Sequence, residues 1–442
     1  MSQFAATRGS EPNRGSIMRK NKAFITAALA ALASAVGYGA TTTTADAQTA
    51  APAPTGPTTS WSGAPRTREE DREFKVNGRM QYDVFSVAVD DGNPATDDVD
   101  YTGSFMRRAF IGVEGRFTQN WRYNVKFDLA PSVSSSGDEV KLDDAYLEYA
   151  ADDYSFVIGQ NNAVSHLEDR TSSNYTPFNE RSMIDQAFGF GKIFGVGLVT
   201  NGGNWSAGIA YYTDSLNNAQ TSDTDEPGTL YVRGTWAPFY QRTPEGIRLI
   251  HLGLNARHRD GGGTLLSYSA RPNQNSLSGF GSTISSTGNW GSDDLLGAEF
   301  AFQWNAFGAS AEYMQLDANR SGAGADADAT GGYIDLFWSP TGEGRNYSAA
   351  DGSWGRVSPR RTLGSDGGIG HVMLSGRYEW LDLSDTGFGT QGEQTGYILG
   401  ATWAPISYVK FQLNYGQYEL DRPGTTNDRD YDSFSLRTQF DW

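Results

Sequence analysis

Four arginines fall where strand alternation would aim them the same way. Arg79, Arg122 and Arg233 lie on the polar face of their segments, and Arg108 shares parity with Glu114 and Arg116. A guanidinium stays charged and offers paired planar donors, so several around one passage suit small oxyanions. Arg107 has the opposite parity, that of Ala109, Ile111 and Val113. It must sit at a rim, or a bulge must re-aim it. The competing account of Arg79 and Arg233 is ion pairing to acids such as Asp83 and Asp144.

Other chemistries fare poorly. Asp143, Asp144 and Glu148 form a carboxylate cluster, but a polar strand face carries acids anyway. Gly189-Phe190-Gly191 and Gly195-Val196-Gly197 lack the strand-to-helix context of a nucleotide loop. His371 and Glu379 are eight residues apart along one strand, not a dyad. The chain has no cysteine and four histidines, which excludes a thiolate site and makes a histidine cluster remote. No catalytic residue, cofactor or metal is expected. A net charge of −17 argues against a nucleic-acid partner, because phosphate backbones attract basic patches.

The elements that position these residues are strands. Only 38% of the 442 residues are hydrophobic, yet 13% are aromatic and 53 are glycine. Disordered chains are poor in aromatics, and helical membrane proteins need apolar runs of about 20 residues. From Phe74 onward the pattern has period two. Trp121, Tyr123, Val125, Phe127 and Leu129 share one face; Arg122, Asn124, Lys126 and Asp128 share the other. Similar sets recur to Phe434, Leu436, Phe440 and Trp442, several with an aromatic at an end. About 16 such segments alternate short turns with long polar loops, as outer-membrane barrels do. The expected fold is all-β: a 16-stranded antiparallel transmembrane β-barrel. The loop at 161–191 is far too long for a hairpin turn. Connections at 239–247 and 339–369 break the short-turn rule, and Pro238 and Pro405 read as strand stops.

The N-terminus reads as a leader. Arg19, Lys20 and Lys22 precede the apolar run 23–36, and Ala45-Asp46-Ala47 is a cleavage signal. Residues 1–47 are thus expected to be a signal peptide, with Met18 an alternative start. Residues 48–73 are expected to be a flexible periplasmic segment, and 74–442 the barrel. Removing the leader leaves a net charge near −20.

Several blocks carry a resemblance. Lys75-Val76-Asn77-Gly78-Arg79-Met80-Gln81, Phe105-Met106-Arg107-Arg108-Ala109-Phe110 and Asn120-Trp121-Arg122-Tyr123-Asn124 come in order. Tyr231-Val232-Arg233-Gly234 and His251-Leu252-Gly253-Leu254 follow. Together they resemble the phosphate-selective porins O and P across 74–442. That resemblance implies a trimeric Gram-negative outer-membrane porin whose third outer loop folds inward as a constriction. It implies an anion or phosphate path at Arg79, Arg107, Arg108 and Arg233, with Asp128 as the acid beside it. It matches Leu167–Asn174, with Ser172 and Ser173, to the constriction segment and Glu180-Arg181 to the pair downstream. Where the family's loop carries lysines this chain has Asp169 and Asn174, and Phe110 replaces a tyrosine.

The expected function is passive diffusion of small hydrophilic solutes, favouring inorganic phosphate or other small anions. The expected setting is a homotrimer in outer-membrane lipid and lipopolysaccharide. A general or cation-leaning pore stays open on net charge, and a secreted glycan-binding β-protein stays open as a different class.

Overall fold

The computed structural model describes residues 57–90, 99–130, 140–218, 227–262, 265–273, 283–364, 367–422, 424 and 428–442. The leader expected at 1–47 lies outside them. The first strands are β1 (Thr58–Trp61), β2 (Pro65–Glu69), β3 (Arg72–Asp90), β4 (Val99–Arg116), β5 (Trp121–Asp128), β6 (Lys141–Ala150) and β7 (Tyr154–Asn161). Two short helices follow, α1 (Leu167–Arg170) and α2 (Met183–Phe188). Then come β8 (Ile193–Asn201), β9 (Trp205–Tyr212), β10 (Gly228–Thr243), β11 (Gly246–Asp260), β12 (Leu266–Ala270), β13 (Ile284–Trp304), β14 (Phe307–Arg320) and β15 (Ala327–Trp338). The chain ends with β16 (Asn346–Ser348), β17 (Ser353–Gly355), β18 (His371–Leu383), β19 (Gly392–Ile406), β20 (Val409–Asp421) and β21 (Arg429–Asp441).

Sixteen of these strands make an antiparallel barrel: β3 to β11, β13 to β15 and β18 to β21. It closes where β21 pairs with β3, from Asp430 opposite Asp90 to Asp441 opposite Arg79. Closure is obligatory in hydrocarbon, because each unpaired backbone group there costs several kcal/mol. Trp442 completes the seam by exchanging both backbone hydrogen bonds with Gly78. A Cβ at Gly78 would lie 2.1 Å from the Trp442 ring, so that position needs glycine. The outward faces carry exposed Tyr82, Val84, Trp121, Phe127, Leu254, Trp338, Tyr397 and Phe434. That is the apolar, aromatic-flanked surface lipid requires.

Three segments differ from the sequence reading. Residues 239–247 are no connection: β10 and β11 run on to Thr243 and Gly246, with Ala237 and Pro238 in a bulge. Pro405 likewise sits in a bulge of β19 beside Ala404 and does not end the strand. Proline interrupts one rung of a ladder, and a bulge absorbs the missing donor. Within 48–73, the described part is ordered. β1 and β2 form a hairpin, and β2 pairs with the start of β3, Arg66 opposite Lys75.

Two segments enter the lumen from opposite ends. The 162–192 loop, with α1 and α2, comes from the long-loop end. The 339–370 connection, with the β16–β17 hairpin, comes from the short-turn end. They meet: Arg170 pairs with Asp351 at 3.0 Å, the Trp354 amide donates to Thr171 Oγ1 at 3.2 Å, and Arg345 donates to the Tyr175 carbonyl at 3.1 Å.

Candidate functional site

The loop is held by charge and by its own backbone groups. Glu312 of β14 accepts from the amides of Leu167 and Glu168 at 3.0 and 2.9 Å, satisfying donors that open α1. His166 bridges Glu312 at 3.1 Å and Asp185 at 3.2 Å. Burial pushes the His166 pKa down, but Glu312 and Asp185 outweigh it and hold it well above the ordinary value. Glu168 accepts from Arg377 at 2.6 Å and from Ser182, and Arg377 also grips Asp335 at 2.6 Å. Glu379 accepts from the Met183 amide at 2.8 Å. Asn179 bonds Asn414 and Ser435 at 2.7 and 2.8 Å. Thus β13 to β21 become a packed floor for the loop, with Arg377, Glu379 and Arg437 each at most 4% exposed.

The other wall, β3 to β8, keeps room. Arg107 sits in a bulge between β3 and β4, where the register slips between Gln81 and Tyr82. The bulge turns a residue of lipid-face parity inward, and Arg107 meets Glu180 with two bonds of 2.9 Å. Glu180 also accepts from Arg437 at 2.7 Å. Burial pushes the Glu180 carboxyl up, but Arg107 and Arg437 outweigh it and hold it below the usual carboxylate range. A second bulge, between β5 and β6, lets Asp143 and Asp144 both face Lys126, at 2.8 and 2.5 Å. Lys192 pairs with Asp144 at 3.0 Å.

The expected site residues separate by partner. Arg79 donates to Ser173 Oγ at 2.7 Å and lies 4.7 Å over the Phe110 ring. Arg108 donates to Gln81 at 2.8 Å. Among the described residues neither has a carboxylate partner. Arg107 is paired as above. Arg181 pairs with Asp169 at 2.7 Å and Asp185 at 3.5 Å. Burial lowers its pKa, but Asp185 and Asp169 raise it further, so it stays charged and neutralised. Arg233 grips Glu299 at 2.7 Å beneath the β16–β17 hairpin, donating to the carbonyls of Asp351 and Gly352. It is away from the open wall.

Asp128 accepts from the amides of Ala109 and Ala130 at 3.1 and 3.0 Å, so it pins the backbone after the Arg107 bulge. Ser172 Oγ caps the Asn174 amide at 3.3 Å within the loop turn. Below that turn a cavity of about 430 Å³ is lined by Lys75, Arg79, Lys126, Arg356, Ser172 and Tyr175, among others. Lys75, Lys126, Lys192 and Arg356 were not among the expected site residues. Lumenal parity marks Lys75 and Lys126 in the sequence, whereas Arg356 lies in an inserted segment whose entry has no periodic signal.

A closed sixteen-stranded barrel with an apolar outer band and a polar lumen narrowed by an inward loop is an outer-membrane porin. The family model for phosphate-selective porin O and P matches residues 74–442, and the chain belongs to that family. Porin O of Pseudomonas aeruginosa is 26% identical over 458 residues, covering 96% of this chain and 99% of that protein. An uncharacterized protein of Caulobacter vibrioides is 29% identical over 391 residues, covering 84% and 74%. Among solved structures, the anion-selective porin from Comamonas acidovorans superposes with a TM-score of 0.52. It has 10% identity, and the match covers 84% of this chain and 100% of that one. At that identity the likeness is one of fold.

Proposed function

We propose that this porin passes small hydrophilic solutes with a preference for anions, inorganic phosphate included. The observation that carries the reading is the contrast among its arginines. Arg79, which lines the cavity, and Arg108 hydrogen-bond only to neutral partners among the described residues, while Arg107, Arg181 and Arg233 are each paired with a carboxylate. Selectivity follows the charge left exposed at the narrowest place, not the net charge of the chain. The phosphate-selective family name and the anion-selective neighbour from Comamonas acidovorans support it.

In this reading Arg79 and Ser173 form the periplasmic end of the anion path. Arg108 forms its outer end, Ser172 contributes a hydroxyl, and the doubly bonded Arg107 holds the loop through Glu180. Arg181, Arg233 and Asp128 serve the scaffold. Residues 1–47 act as the leader, and the mature barrel works as a trimer in a lipopolysaccharide-bearing membrane. The test is phosphate block of chloride current in planar bilayers. Phosphate should block the native pore, and block the Arg79→Ala/Arg108→Ala pore less. A native pore that phosphate never blocks would remove the phosphate reading and leave a general diffusion porin.

A further inference from the structure

On β3 and β21, three facing pairs point into the lumen: Arg79 opposite Asp441, Gln81 opposite Gln439, and Asp83 opposite Arg437. The outermost is an ion pair at 2.6 Å. At the periplasmic rung, Asp441 is taken by Arg356. The middle rung carries no charge, and it is the one that receives Arg108. Gln81 lies opposite Arg108 across the β3–β4 pairing. Its Oε1 accepts from Arg108 Nη1 at 2.8 Å, while its Nε2 donates to Gln439 Oε1 at 2.6 Å. A guanidinium only donates, so the amide oxygen must face Arg108 and the amide nitrogen must face Gln439. Gln81 and Gln439 are 0% and 2% exposed, so little water competes for these bonds.

We propose that Gln81 is a specificity-determining residue of the pore. Its carboxamide fixes the direction of the Arg108 guanidinium and leaves the charge of Arg108 intact. A carboxylate at the same place would do to Arg108 what Glu180 does to Arg107 and Glu299 does to Arg233. Gln439 is the second tether, fixing which end of the Gln81 amide meets the arginine. The inference rests on the anion-favouring reading above and adds the residue that keeps one of its two free charges free.

The experiment reads reversal potential in a KCl gradient, with phosphate block measured on the same pores. Three variants are used: Gln81→Glu, Gln81→Leu and Arg108→Ala. Heat-modifiable migration on gels establishes that each has folded. Gln81→Glu should cut the chloride-to-potassium permeability ratio by about fivefold, the size of one fixed charge in a watery pore, and match Arg108→Ala. Gln81→Leu keeps both charges unchanged, so it should retain the native ratio while phosphate block weakens, because the guanidinium loses its fixed direction. If Gln81→Glu shifts the ratio no more than Gln81→Leu, the proposal is overturned while the anion reading survives through Arg108→Ala. If Arg108→Ala itself leaves the ratio unchanged, both fall at this residue. Should Gln81→Glu fail to fold, Gln81→Leu decides alone: unchanged phosphate block overturns the proposal.

Discussion

The two sides of the lumen obey different rules. On β18 and β21 the inward arginines are buried and paired: Arg377 with Asp335 and Glu168, Arg437 with Asp83 and Glu180. On β3 and β4, Arg79 and Arg108 meet only neutral partners among the described residues. Place makes the difference: Arg79, though largely covered, lines the cavity below the loop turn. A charge shut under the loop must be matched, since breaking a buried pair costs about 3–5 kcal/mol. A charge beside water can stay unmatched, and only such a charge can act on a passing ion. A porin with a net charge of −17 can therefore favour anions, provided its acids are spent on the packed side.

Removing the loop should break the contrast most. Deleting Glu168–Asn179 uncovers the packed wall and should raise single-channel conductance severalfold; an unchanged conductance would mean the loop does not narrow the path. Next in size is Arg377→Ala, which strands Asp335 and Glu168. It should lower unfolding stability by about 3–5 kcal/mol, read as a lower heat-modification temperature.

Glu180→Gln sharpens the contrast from the other direction. It releases Arg107 while Arg437 keeps Asp83, so the anion preference should rise by up to about fivefold, the worth of one charge near 1 kcal/mol. The same pairing sets a pH dependence. A carboxyl depressed in the folded state contributes stability that is full above its unfolded value, about 4.3, and is lost as pH falls through the lower folded value. Conductance should therefore hold steady from pH 8 to about 5 and change only below about 4. The heat-modification temperature should also fall as pH rises above about 6.5, because the raised His166 loses its contribution there. The smallest effect belongs to Arg122→Ala. Arg122 is half-exposed and 3.6 Å from Glu148, so its loss should cost at most about 1 kcal/mol of stability.

Much of this was legible in the sequence, for physical reasons. Period-two faces follow from the strand itself, so the barrel, its closing strand and the lumenal arginines could be read directly. The odd parity of Arg107 already demanded a rim or a bulge, and the bulge is there. What could not be read is which acid meets which base. Arg107 and Glu180 are 73 residues apart, and Arg437 and Asp83 are 354 apart; only barrel closure and loop docking join them. The irregular length of 339–369 marked an anomaly, but its entry into the lumen depends on Tyr347 and Trp354 finding an apolar pocket beside Leu167. Prolines misled at Pro238 and Pro405, because bulges carried both strands past them.

We propose that the arginines without carboxylate partners, Arg79 and Arg108, and not the paired ones, set selectivity. Reversal potential across a KCl gradient tests it with two double variants. Arg79→Ala/Arg108→Ala should move the pore markedly toward cations. Arg233→Gln/Glu299→Gln, which removes a buried matched pair between β10 and β13, should leave the reversal potential where it was. Equal shifts from the two variants, or a larger one from the paired positions, would mean that pairing does not decide which arginines act on the passing ion.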